Sequence, residues 1–240
     1  MIVCIDPGHG GNDPGAVANG IREKDANLAV SFLVRDMLQS QGGIEVLMTR
    51  ETDRYVTHTE RAAKANQAGA DLFISVHHNA ASSTEARGLE IYHSVLAGEG
   101  EKLAEFIHQR YQVLIPELPT RGIRTRTRDD GSDYYAVIRL TRAPAIIIEG
   151  GFLTNAEDAK LIKQKHFQER QAQAISQGVV LWGGGSIMPE APEWKKEGLK
   201  WLQENGFITP GRWQAEDKLD MGTLGIILSR LIITGKRGER

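Results

Sequence analysis

Ile2-Val3-Cys4-Ile5-Asp6-Pro7-Gly8-His9-Gly10-Gly11 opens the chain and decides how the rest is read. Four apolar residues closed by Pro and Gly predict a buried strand running into a tight turn. His9 stands just past that strand's end, the edge where open α/β sheets keep their ligands. Glu23 follows at the mouth of the next helix, and a histidine with a glutamate is half of a zinc site.

Working outward, Ala26, Ala29, Val30, Leu33, Val34, Met37 and Leu38 recur at helical spacing, with Gln41-Gly42-Gly43 as the stop. Residues 44–48 predict a second strand, 61–68 a helix ended by Gly69, 72–76 a third strand, 88–92 a further strand and 100–114 a helix. Residues 116–142 are irregular and rich in arginine, a long surface excursion of the kind that borders a substrate groove. Arg124, Arg126, Tyr134 and Tyr135 are its candidate substrate contacts. Residues 145–148 form another apolar strand, ended by Glu149-Gly150-Gly151, and one helix runs from Asn155 to about Trp182. Strands alternating with helices at this pace predict an α/β fold, a mostly parallel twisted sheet with helices on both faces.

The 240 residues are 40% hydrophobic and 25% charged, the composition of a soluble globular chain. A net charge of -2 gives no general attraction to nucleic acid or anionic lipid, so neither is expected as a partner. A single cysteine, Cys4, excludes an internal disulfide and reads as a core residue. No run approaches the roughly 18 apolar residues of a membrane span. The N-terminus lacks a signal peptide's basic head and apolar run, which predicts either synthesis in the cytoplasm without a secretory signal or a mature, trimmed form.

Gly183-Gly184-Gly185-Ser186, with Pro189 and Pro192, has linker chemistry. The predicted organisation is a catalytic domain over 1–182, a linker over 183–192 and a small helical segment over 193–240. A piece of that size is too small to bury a core alone, so it docks on the main domain, dimerises or binds something.

The third strand ends in Ser75-Val76-His77-His78-Asn79, a second histidine position at a strand's carboxyl end. If the strands are parallel, their end loops share one edge and the imidazoles converge there with Glu23. Two imidazoles, one carboxylate and a position left for water form the ligand set of a hydrolytic zinc centre. Strand alternation sends His77 and His78 to opposite sides, so only one of them can serve. Glu149 reaches the same edge as a candidate general base for amide hydrolysis. Singly, each residue has a plainer reading, as a turn histidine or a helix-dipole glutamate. Gly8-His9-Gly10-Gly11-Asn12-Asp13 lacks the third glycine of a dinucleotide fingerprint, and no phosphate-loop lysine occurs.

These residues resemble a known family. Asp6-Pro7-Gly8-His9-Gly10-Gly11 with Asp13-Pro14-Gly15, Glu23-Lys24, Thr49-Arg50, Arg61, Ala65-Asn66, Ser75-Val76-His77-His78-Asn79 and Glu149-Gly150-Gly151-Phe152-Leu153-Thr154-Asn155 look like the zinc-dependent N-acetylmuramoyl-L-alanine amidases of the amidase_3 type. The resemblance spans residues 1 to about 182. It implies one zinc ion on His9, Glu23 and His77, with His78 in a variable slot and Glu149 as the catalytic carboxylate. It also implies the substrate, the amide between the lactyl group of N-acetylmuramic acid and L-alanine in peptidoglycan. A monomeric phage- or prophage-type lysin, reaching the wall through a separate pore or on cell lysis, would suit such a chain. Many relatives carry an inhibitory helix over the site; the connection from Gly100 to Pro144 is too short for one, which predicts an open groove. The C-terminal segment, with Trp194 and Trp201, faintly resembles small wall-anchoring modules, which would make a cell-wall polymer its partner; the alternative is a helical hairpin packed on the catalytic domain.

Overall fold

The computed structural model describes residues 1–187 and 200–204. Met1–Gly185 form one compact unit and Ser186–Arg240 a second. Of the C-terminal segment only 200–204, which are helical, fall within the described residues, so its two expected helices lie almost wholly outside them. Among the described residues no helix is long and apolar enough to cross a membrane.

Within the first unit the described residues form eight strands and six helices in the order β1 (Ile2–Pro7), β2 (Val17–Ala18), β3 (Ile21–Arg22), α1 (Glu23–Ser40), β4 (Glu45–Met48), α2 (His58–Ala68), β5 (Leu72–Asn79), β6 (Leu89–His93), α3 (Glu99–Leu114), β7 (Thr120–Arg124), α4 (Ala136–Leu140), β8 (Ala145–Phe152), α5 (Ala156–Ile162) and α6 (Lys165–Trp182). Six strands make one sheet in the order β4-β1-β5-β8-β6-β7, parallel except between β6 and β8. β2 and β3 form a separate small antiparallel hairpin.

Side-chain alternation divides the core in two. Val3, Ile5, Ile74, Val76, Ile146 and Ile148 point to one face and are covered by residues of α1, α3 and α6, including Val30, Val34, Ile107 and Ile175. Cys4, Phe73, Ala145 and Ile147 point to the other face and pack with Ala65 of α2 and Val137 and Ile138 of α4. Cys4 is a core residue, its thiol pushed up to about 12 by burial. This parity carries to the strand ends: Asp6, Ser75, His77 and Glu149 belong to the α2/α4 face, and His78 to the α1/α6 face.

Most element ends fall within a few residues of the sequence-based expectation, and three differences have a clear physical cause. The second helix begins at His58, three residues early, because Thr57 and Glu60 form a capping box; Gly69 ends it in the left-handed conformation at φ 61°. The helix expected from Asn155 to Trp182 is two helices with Gln164 extended between them. Ile162 and Phe167, both fully buried, would point about 140° apart on one continuous helix, and the break lets both reach the core. The excursion over 116–142 contains β7 and α4. In Thr120-Arg121-Gly122-Ile123-Arg124 only Ile123 signals a strand, because this is a charged sheet edge.

Candidate metal centre

The end of β1 is held by two buried arginines. Arg61 donates to Asp6 Oδ1 (2.6 Å), the Pro7 carbonyl (2.7 Å) and the His9 carbonyl (2.7 Å). Arg50 donates to the carbonyls of Pro7 (3.0 Å), Gly8 (2.8 Å) and Lys24 (2.8 Å). Asp6 itself accepts from Thr49 (2.6 Å) and Ser75 (2.7 Å). Buried backbone carbonyls in an irregular turn need donors, and guanidinium groups supply several each. His9 is thereby kept in the left-handed region at φ 59°, a strained setting for a residue with a Cβ.

His9, Glu23 and His77 converge, with one candidate ligand atom from each lying within 4.8 Å of the others. His9 Nε2 is 3.1 Å from Glu23 Oε2, and His77 Nδ1 is 2.8 Å from Glu23 Oε1. The two imidazoles meet edge to face with centroids 5.0 Å apart. Ligands about 2.1 Å from a tetrahedral zinc lie roughly 3.4 Å from one another, so the donor set has the right atoms at nearly the right spacing. His78 is drawn the other way: its Nδ1 meets Asn27 Oδ1 (2.8 Å), and its Nε2 lies 3.4 Å from Gln171 Oε1. Burial pushes its pKa down to about 4, so it is a neutral core group.

The surroundings fit a cation. Asp13 Oδ2 lies 2.8 Å from His9 Nδ1, which leaves Nε2 to face the centre. Asn27 donates to Glu23 Oε1 (3.2 Å), and the Ala16 amide donates to Glu23 Oε2 (2.9 Å). A Cβ on Gly8 would sit 2.1 Å from the His77 ring, and one on Gly15 would sit 2.6 Å from both Glu23 Oε2 and His9 Cδ2. Both positions are glycine because the ligands occupy that space. Arg50 and Arg61 carry no signal of their role in one sequence, since their partners lie 42 and 52 residues away, whereas Asp13 and Asn27 each act on a residue four positions away in the chain.

Charge balance at the centre is set by Glu23. Burial works against its ionised form, but hydrogen bonds from His77 and His9 hold its carboxyl well below the usual range. Burial likewise opposes a charge on His9, and Glu23 and Asp13 outweigh it, pushing the imidazole up to about 9; His77 is raised by Glu23 in the same way.

Glu149 lines the same cavity of about 350 Å³ as His9 and His77, with Tyr55, His58, Tyr134 and Tyr135 also on its walls. Its Oε2 is buried and has no hydrogen-bond partner. Burial, with help from Glu23 and Glu90 and against the pull of His77, pushes its carboxyl up to about 7. A carboxyl poised near neutrality with one free oxygen can take a proton and give it back. Both imidazoles remain partly open to solvent, at 25% and 21% exposure, so the centre is reachable from outside.

Comparison with known proteins agrees with this geometry. A family profile described as N-acetylmuramoyl-L-alanine amidase matches residues 3–180. The N-acetylmuramoyl-L-alanine amidase LytC of Bacillus subtilis is 37% identical over 180 residues, covering 74% of this chain and 34% of LytC. An endolysin of Bacillus phage SPP1 is 34% identical over 178 residues, covering 74% of this chain and 64% of the endolysin. The solved catalytic domain of the amidase CwlV from Bacillus (Paenibacillus) polymyxa var. colistinus superposes with a TM-score of 0.70 at 31% identity, covering 77% of this chain and 99% of that one. The chain thus spans about a third of LytC and just under two thirds of the endolysin. By the extent of the profile match and by these likenesses, the chain belongs to the amidase_3 family of N-acetylmuramoyl-L-alanine amidases.

Proposed function

We propose that residues 1–182 form a zinc-dependent peptidoglycan amidase that cleaves the amide joining the lactyl group of N-acetylmuramic acid to L-alanine. The observation that carries this is the convergence of His9, Glu23 and His77, with His9, His77 and Glu149 lining one solvent-reaching cavity. His9, Glu23 and His77 would hold the zinc ion, which would supply a Lewis acid for the amide carbonyl and a water acidified to a pKa of about 7. Glu149 Oε2 takes a proton from the attacking water as oxygen bonds to the carbonyl carbon, and returns it to the nitrogen as the C–N bond breaks. The products are the lactyl carboxylic acid and the free L-alanine amine, which at neutral pH become a carboxylate and an ammonium, so atoms and charge balance. Asp13 holds the His9 ring in the tautomer that leaves Nε2 free, and Asn27 fixes the Glu23 carboxylate. Peptidoglycan is the partner on this reading, the site of action is the cell wall, and 183–192 tether a C-terminal segment whose ligand is a wall polymer.

The test is digestion of purified cell walls, with mass analysis of the fragments. Clearing that stops with a chelator, returns with zinc and leaves new L-alanine amino termini supports the reading. Free acetate, cleaved interpeptide bonds or undiminished clearing without metal would replace it with a deacetylase, a peptidase or a metal-free hydrolase.

A further inference from the structure

In the excursion between β6 and β8, most arginines near the cavity have a carboxylate. Arg121 lies 2.7 Å and Arg124 3.5 Å from Glu90, and Arg128 lies 3.7 Å from Asp130. Arg126 has no acidic partner among the described residues. Its Cζ sits 3.7 Å from the centre of the Tyr134 ring, and Tyr134 in turn meets the Tyr135 ring edge to face.

Its position is built into the backbone. Tyr134 N donates to the Arg126 carbonyl (2.9 Å), Thr127 bridges Asp133, and Arg128 N donates to the Ser132 carbonyl (2.9 Å), which closes a hairpin. Asp133 pins that hairpin by accepting from Ser94 Oγ (2.8 Å) and Val95 N (2.7 Å). Tyr134 forms a wall of two cavities, the one of about 350 Å³ that holds His9, His77 and Glu149, and one of about 530 Å³ that holds Arg126. Asp129 and Asp130 line the second cavity too, but Asp130 is engaged by Ser132 and Arg128.

A guanidinium without a counter-ion, beside a reaction cavity, is a carboxylate receptor. Resting on the amidase reading, the charge of the substrate says which side it serves. The lactyl carboxyl is consumed in the scissile amide and the acetylated sugar is neutral, so free carboxylates lie on the peptide. We propose that Arg126, backed by Tyr134, binds the free carboxylate of an acidic residue of the stem peptide, next to the scissile amide. This orients the peptide arm toward the hairpin.

The test uses zinc-loaded protein carrying Glu149→Gln, so that ligands stay intact, and two muramyl dipeptides that differ only in whether the acidic residue's α-carboxyl is free or amidated. NMR titration should show the free acid binding about tenfold more tightly. Arg126→Gln should reduce that preference to less than twofold by weakening the acid alone, and Arg126→Lys should restore part of it. In the active enzyme the same substitution should raise KM for the acid with kcat little changed. An equal preference with and without Arg126, or an equal loss for both ligands, overturns the subsite alone. Binding of neither dipeptide overturns the amidase reading and the subsite with it.

Discussion

Glu149 stands directly opposite His77 in the parallel register of β8 on β5. Adjacent strands lie about 4.8 Å apart, and opposed residues share a face, so the backbone itself places this carboxylate beside that imidazole. Glu90 faces Glu149 from the other side, across the antiparallel pair with β6. The proposed acid-base group is therefore fixed by sheet pairing, whereas His9 depends on a braced turn. Glu149→Gln keeps the shape and removes the proton acceptor. Turnover on cell wall should fall about 10²- to 10⁴-fold, with metal content unchanged by elemental analysis. Retained turnover would remove Glu149 from the base role.

Metal uptake should release protons. With His9 pushed up to about 9, its imidazole in the metal-free protein carries an extra proton at pH 7, His77 is shifted in the same direction, and a cation needs the lone pair that this proton occupies. The sign follows: a proton favoured by the free protein opposes the metal, so apparent affinity rises with pH until about 9 and falls as the solution is acidified. Calorimetric titration of zinc at pH 7, in buffers of different ionisation enthalpy, should give a net release of about one proton or more. Zero release would mean that the His9–Glu23 pair is not where the ion binds.

Much of this centre is readable before any coordinates, and the reason is local. His9, His77 and Glu149 each close an apolar run, and such runs end at one edge when strands are parallel. The choice between His77 and His78 is not local. Alternation says that the two diverge, but which face is polar depends on Asn27 and Gln171 reaching His78 from helices on the far side. The supports are silent for the same reason: Arg61 lies 52 residues from the His9 carbonyl it holds. Within the excursion, β7 hides because its pattern is that of an edge strand, and the hairpin at Arg126 because bridging Thr127 to Asp133 leaves no periodic trace.

Gly8→Ala tests whether the space at the centre is reserved for the ligand. Gly8 does not have a positive φ, so alanine is acceptable to the backbone, and the three atoms nearest its Cβ all belong to the His77 ring, the closest at 2.1 Å. The ring has to move, because the turn is clamped by Arg50 and Arg61. Zinc affinity should drop at least tenfold, measured by competition with a chromophoric chelator. The cost to stability should stay near 1–3 kcal/mol, as for other overpacked sites. Unchanged affinity would show that His77 is not held in the position seen here.

Arg61 and Asp6 form a buried ion pair at 2.6 Å, with exposures of 3% and 1%. Burial alone would raise the Asp6 carboxyl, but Arg61, Thr49 and Ser75 hold it below its ordinary value. Removing the cation leaves a buried anion with two hydroxyl donors, takes the Arg61 hydrogen bonds from the His9 and Val56 carbonyls, and leaves the Pro7 carbonyl to Arg50. Arg61→Met should cost about 3–5 kcal/mol in denaturant unfolding. Adding Asp6→Asn should recover part of that loss, because it discharges the stranded carboxylate. In the wild type, a depressed carboxyl contributes stability above its unfolded pKa of about 3.9 and loses it as pH falls further. Arg61→Met should therefore show a shallower decline in stability below pH 4 than the wild type. Strictly additive effects of the two substitutions would mean that the pair contributes nothing by its contact, and that Arg61 acts only through the carbonyls of the turn.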